Sequence, residues 1–167
     1  LLQSYANQAM PAKQLFKQMI QSGAMRASAC LNFIRRDLLV KNDLTFEEGL
    51  IHEDELFTPQ LYALANTMMY IPRIFFHRRV RSGSIMTSVK IEKTLESLCH
   101  IISELCAFAK SHFGVRQLIY LRCYELAVHA NNLKKNYIKQ QLPLCWKRIS
   151  RYHKWFNYCR KIKKHLL

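Results

Sequence analysis

Between Pro11 and Lys41 the apolar positions Leu15, Met19, Met25, Leu31, Ile34 and Leu38 recur at helical spacing. The pattern predicts a helical unit over 11–41, split or bent at Gly23. The stretch KNDLTFEEGLIHEDELFTPQ, Lys41 to Gln60, loses that period and turns acidic, and it reads as a long connection over 41–58. Thr58-Pro59 then supplies a capping hydroxyl followed by Pro at a first helical position. The helix predicted from there runs to about Val80 with a kink at Pro72. Leu61 to Phe76 is apolar but too short to span a bilayer, and Asn66, Pro72 and Arg73 interrupt it, so it reads as a core helix.

From about Ser88 to Phe113 the stripe Ile91, Leu95, Leu98, Ile102, Leu105, Ala109 steps by three and four, the mark of a helix with one buried seam. Gly114 stands where a helix-ending glycine belongs. The segment from Val115 to about Gln140 is apolar nearly all round through Val128, which predicts a central helix surrounded by others. Pro143 opens a last helix over 143–167. Together these elements predict one all-α domain over 1–167, a helical bundle of about five or six helices with a basic C-terminal helix extending from the body.

Composition agrees with that class. Half of the 167 residues are hydrophobic, enough for a sizeable core, and only four Gly and four Pro occur, too few for a turn-rich β protein. Charge adds a different kind of information. The formal net charge is +15, which calls for a polyanionic partner. Seven of the eleven acids lie between Asp37 and Glu55, and none follows Glu125. The acidic segment reads as a solvated linker, with a docking or regulatory loop as the other use.

On a helical wheel of the last segment, Leu142, Cys145, Ile149, Tyr152, Phe156 and Cys159 share one face, while Lys147, Arg151, Lys154, Tyr158 and Lys161 share the opposite one. Beyond Cys159 the phase breaks, because Arg160 and Lys163 land on the apolar stripe. Burying them without partners costs several kcal/mol on the order-of-magnitude scale for unpaired charges. The helix is therefore expected to leave the body near residue 159 and to end in contact with something anionic.

RNA suits this composition best, since cations meet phosphates and rings stack on unpaired bases. Expected phosphate contacts are Arg78, Arg79, Arg81, Lys147, Arg148, Arg151, Lys154, Arg160, Lys161, Lys163 and Lys164, with Trp155 and Tyr158 as stacking rings and Trp146 at the edge of the core. A membrane surface suits it less, because the apolar side of the tail is too broken to insert. The expectation is a non-enzymatic RNA-binding structural subunit of a ribonucleoprotein particle, such as a ribosome, a mitochondrial ribosome or an RNA-processing complex. Its partners would be structured RNA and other protein subunits. The alternative is a protein–protein scaffold or adaptor subunit of a multiprotein complex, one form of it peripheral to an anionic membrane, with the Asp37–Glu55 acids against the basic remainder as the drive for self-association.

No chemistry-bearing motif competes with binding. The seven His form no HExxH, the four Gly form no phosphate loop, and no GxSxG elbow occurs. Glu53, Asp54 and Glu55 are adjacent but without a convergent partner, and Cys99 and His100 project about 100° apart on a helix. Arg122, Glu125 and His129 share a stripe that suits either an acid/base site or, the stronger expectation, an internal ion pair holding two helices in register. The six cysteines include no CxxC pair. They read as buried free thiols of a reducing, intracellular compartment, the nucleus, nucleolus or mitochondrion. No catalytic residue, metal or cofactor is expected.

Overall fold

The computed structural model describes residues 3–77, 79, 91–151 and 153–154. Among them helix predominates, with one small antiparallel ladder, consistent with an all-α class. The chain's contacts group into two compact units, Leu1–Ser97 and Leu98–Leu167.

In the first unit, strand β1 (Ala9–Pro11) leads into helix α1 (Ala12–Gln21). Ala12, Leu15, Phe16 and Ile20 recur at three and four and are buried, which is why this stretch is helical. The helix ends at Gly23, φ +67°, whose N–H bonds Ile20 while that of Ala24 bonds Met19. This is a Schellman closure, and of the two outcomes expected at Gly23 it splits the unit predicted over 11–41 rather than bending it. The chain then runs without regular structure, makes a 3₁₀ turn at Ala29–Leu31, and forms only the short helix α2 (Arg36–Lys41). Asp43, φ +48°, closes α2 in the same way, and Leu44 beyond it is buried.

The predicted start at Thr58-Pro59 is also corrected. Helix α3 spans Asp54–Leu64, with two acids in its first turn and Pro59 inside it. Thr58 caps nothing; it is wholly buried and its hydroxyl donates to the carbonyl of Ala27. The connection ahead of the helix is therefore shorter than 41–58. Nor does α3 reach Val80. Ala65 turns extended, and Thr67–Met69 forms strand β2, paired with β1 in the register Ala9↔Met69 and Pro11↔Thr67. β1 and β2 thus tie the start of the unit to the end of α3, beside the packing of α1 on α3. The Phe16 and Tyr62 rings meet edge to face at 5.5 Å in that core.

Helix α4 spans Ile91–Ser111. Leu95, Leu98, Ile102, Leu105 and Ala109 of the predicted stripe are buried, but Ile91 is exposed. Gly114 is not the predicted cap, since the positive-φ glycines among the described residues are Gly23 and Gly49. The Arg116 guanidinium instead donates to the carbonyls of Ala109 and Lys110 at 3.1 and 3.0 Å, a cationic cap on orphan carbonyls.

In the second unit, helix α5 (Arg116–Leu133) buries Ile119, Tyr120, Leu121, Cys123, Leu126, Ala127 and Ala130. Gln117, Val128 and His129 are exposed, so this helix is not surrounded on all sides as its composition suggested. It also stops short of Gln140: Lys134 is extended and Asn136 is left-handed, φ +60°. Helix α6 (Tyr137–Gln141) follows, with the Asn131 carboxamide oxygen accepting the Ile138 N–H at 3.1 Å. Helix α7 is described over 143–151, and residues 153–154 are helical too. Pro143 is its first residue, where a missing N–H costs nothing.

Candidate nucleic-acid interface

Helix α7 is held by one face. Ile149 is fully buried, Cys145 and Trp146 are half-buried, and the Trp146 backbone N–H donates to the Leu142 carbonyl at 2.8 Å. Two rings of α7 lie against one ring of α5. Trp146 stacks with Tyr124 at 5.9 Å between centroids, and His153 stacks with Tyr124 at 3.6 Å and 9°. Trp146 and His153 are seven residues apart, two helical turns, so they return to the same side. That spacing is the sequence signal for this stack, which composition alone does not reveal. Burial lowers the pKa of His153, against an opposing pull from the Glu125 carboxylate.

Beneath the helix the Cys106 thiol of α4 meets the thiols of Cys123 and Cys145. Contacts among these thiols, with burial, push Cys106 and Cys145 well above the usual thiol range, and burial raises Cys99. These are neutral packing thiols rather than nucleophiles. Among the described residues no three His, Cys, Asp or Glu side chains are arranged to hold a metal ion.

The opposite face of α7 is basic. Lys147, Arg151 and Lys154 are exposed and follow one another at four and three residues, which aligns them. Arg148 differs from them. It is half-buried, with Nη1 3.5 Å from the Tyr120 hydroxyl and its guanidinium 6.0 Å from that ring's centre. Arg79, in the first unit, is exposed. The remaining expected contacts, Arg78, Arg81, Trp155, Tyr158, Arg160, Lys161, Lys163 and Lys164, lie outside the described residues, as do Tyr152, Phe156 and Cys159.

The Arg122–Glu125–His129 stripe resolves into a pair. Arg122 Nη1 lies 2.7 Å from Glu125 Oε2, both on α5, so the bridge runs along one helix instead of joining two. His129 is exposed on the same helix. The first unit adds exposed rings that charge-based reading of the sequence passes over, Phe33 and Phe75, which meet edge to face at 5.9 Å and 89°. No described helix is long and apolar enough to cross a membrane. Comparison with protein-family models, with curated proteins and with solved structures returns no match.

Proposed function

We propose that this chain is a non-enzymatic, RNA-binding structural subunit of a ribonucleoprotein particle. The observation that carries this reading is the outer face of α7, where Lys147, Arg151 and Lys154 are aligned and exposed opposite the buried Ile149. No acid follows Glu125 in the sequence to neutralise them. A row of cations anchored to a rigid core is the arrangement that follows a phosphate backbone.

On this reading the body is a helical bundle of five or six helices, and the C-terminal helix leaves it near residue 159. Arg160, Lys161, Lys163 and Lys164 then extend the row of phosphate contacts, with Trp155 and Tyr158 stacking on unpaired bases. Arg78, Arg79 and Arg81 form a second cationic patch. The partners are structured RNA and neighbouring protein subunits, in a nucleolar or mitochondrial setting that keeps the thiols reduced.

The test is fluorescence anisotropy of the full chain with a structured RNA, a single strand, a DNA duplex and anionic vesicles, each across a salt series. RNA binding that exceeds DNA binding and falls steeply with salt supports the reading. Binding to vesicles alone, or equally weak binding to every anion, overturns it.

A further inference from the structure

Phe33 is 85% exposed and Phe75 is 58% exposed. Exposing one Phe is ordinary; here two exposed rings are in edge-to-face contact. The rings come from separate segments, one between the 3₁₀ turn and α2, the other in the irregular stretch after β2. Cations surround them in sequence. Arg35 and Arg36 follow Phe33 by two and three residues, and exposed Arg73 precedes Phe75 by two. An open depression beside α2 is lined by Arg35, Arg36, Asp37, Val40 and Lys41. Its single acid, Asp37, is held by Arg35 at 3.1 Å, and that guanidinium keeps the carboxyl below its ordinary range. Arg36 and Lys41 supply the remaining positive charge of the depression.

From the contact of the two rings and the cations that neighbour them in sequence, we infer that the Phe33–Phe75 pair, together with Arg36 and Lys41, forms a binding site for single-stranded RNA in the first unit. The inference rests on the reading of the chain as an RNA binder, but uses a surface separate from α7. Charge complementarity selects a polyanion, and the rings select one with open base faces. A duplex offers no face to stack on, whereas each unpaired base does. Phe carries no hydrogen-bonding group, so the site takes bases without reading their edges. Because the rings stand at 89° to one another, one flat base cannot lie on both. The strand must turn between the two rings, which a flexible single strand does readily.

The experiment measures binding of the full chain to a fluorescent oligouridylate of about 12 nucleotides, within the span such sites occupy. A blunt-ended RNA duplex and phosphatidylserine vesicles are the comparison probes. Phe33→Ala/Phe75→Ala should weaken oligouridylate binding by about tenfold or more, as loss of base stacking does. Phe33→Tyr/Phe75→Tyr should retain it, and duplex binding should not change in either. Arg36→Glu/Lys41→Glu/Arg73→Glu should weaken it and flatten its salt dependence. Phe113→Ala, an exposed ring of the second unit, should have no effect.

A thiouridine photocrosslink on the unmodified protein should map to the peptides that carry Phe33 or Phe75, a readout that needs no variant to fold. Oligouridylate binding that ignores the rings, while the chain still binds RNA, overturns this site and leaves the proposed function standing. Equal losses on oligouridylate and duplex overturn the single-strand preference. Vesicle binding that depends on the rings, without such dependence for oligouridylate, overturns it in favour of a lipid surface. Absence of binding to every RNA overturns both proposals.

Discussion

Arg148 Nη1 lies 3.5 Å from the Tyr120 hydroxyl, so one cation of the basic C-terminal run is turned inward against α5. Its neighbours Lys147 and Arg151 are exposed. The contact is at the long end for a hydrogen bond, but it closes a half-buried polar site and packs the guanidinium near a ring. Arg148→Ala is expected to destabilise the chain by about 1 kcal/mol, while Lys147→Ala and Arg151→Ala stay within about 0.5 kcal/mol. Urea midpoints at constant slope provide the measurement. Equal midpoints for all three variants would show that the inward contact contributes nothing.

The exposed trio makes the opposite prediction. Lys147→Glu/Arg151→Glu/Lys154→Glu should leave the urea midpoint nearly unchanged and weaken RNA binding. If all three cations touch phosphates, removing them lowers the log–log salt slope by roughly 2 to 3, at about 0.7–0.9 per contact. A slope that survives the triple change would place the contact elsewhere in the chain.

Gly23 offers a test of local structure. At φ +67° its backbone suits glycine, and a Cβ there meets nothing within 4 Å. The penalty for Gly23→Ala is therefore conformational, without a clash, and about 1–2 kcal/mol is expected. Thermal melts of wild type and variant decide it. An unchanged melting temperature would mean that α1 closes as well without a left-handed residue.

The seam of α4 was legible because Leu95, Leu98, Ile102, Leu105 and Ala109 repeat at a period that only a helix satisfies. Sequence and structure part where local signals compete with tertiary pairing. Thr58-Pro59 looks like a helix start because a hydroxyl before Pro is one, yet here the hydroxyl is drawn to Ala27, thirty-one residues away. Thr67–Met69 is apolar enough for a helix, but it lies beside Ala9–Pro11 and becomes a strand. No periodicity within either segment carries that information. Gly114 resembles a cap, but the Arg116 side chain reaches the carbonyls first. At the candidate interface, the phase of Lys147, Arg151 and Lys154 against Ile149 could be read from a wheel, since all four sit on one helix. The Phe33–Phe75 pair could not, because forty-two residues separate the two rings and neither stretch has a regular period.

Tyr62 gives the first unit a dependence on alkaline pH. Its side chain is buried in α3 beside Phe16, and its hydroxyl donates to Asn32 Oδ1 at 2.8 Å. Burial pushes its pKa up to about 12, with the Asn32 hydrogen bond opposing. In the unfolded chain a tyrosine loses its proton near pH 10. Between those values the folded chain holds more protons than the unfolded one, so stability falls as pH rises. The contribution is complete below about pH 10 and is lost on the way to about pH 12, a change of roughly 3 kcal/mol for a two-unit shift. Tyr62→Phe removes this titration and also the bond to Asn32, so it should be less stable at neutral pH by about 1 kcal/mol. Urea unfolding of both proteins from pH 8 to pH 12 measures the difference between them. The gap should narrow and then invert as pH rises, because only the wild type resists ionisation at this site. Curves that stay parallel across the range would mean that the buried hydroxyl titrates no differently in the folded and unfolded chains.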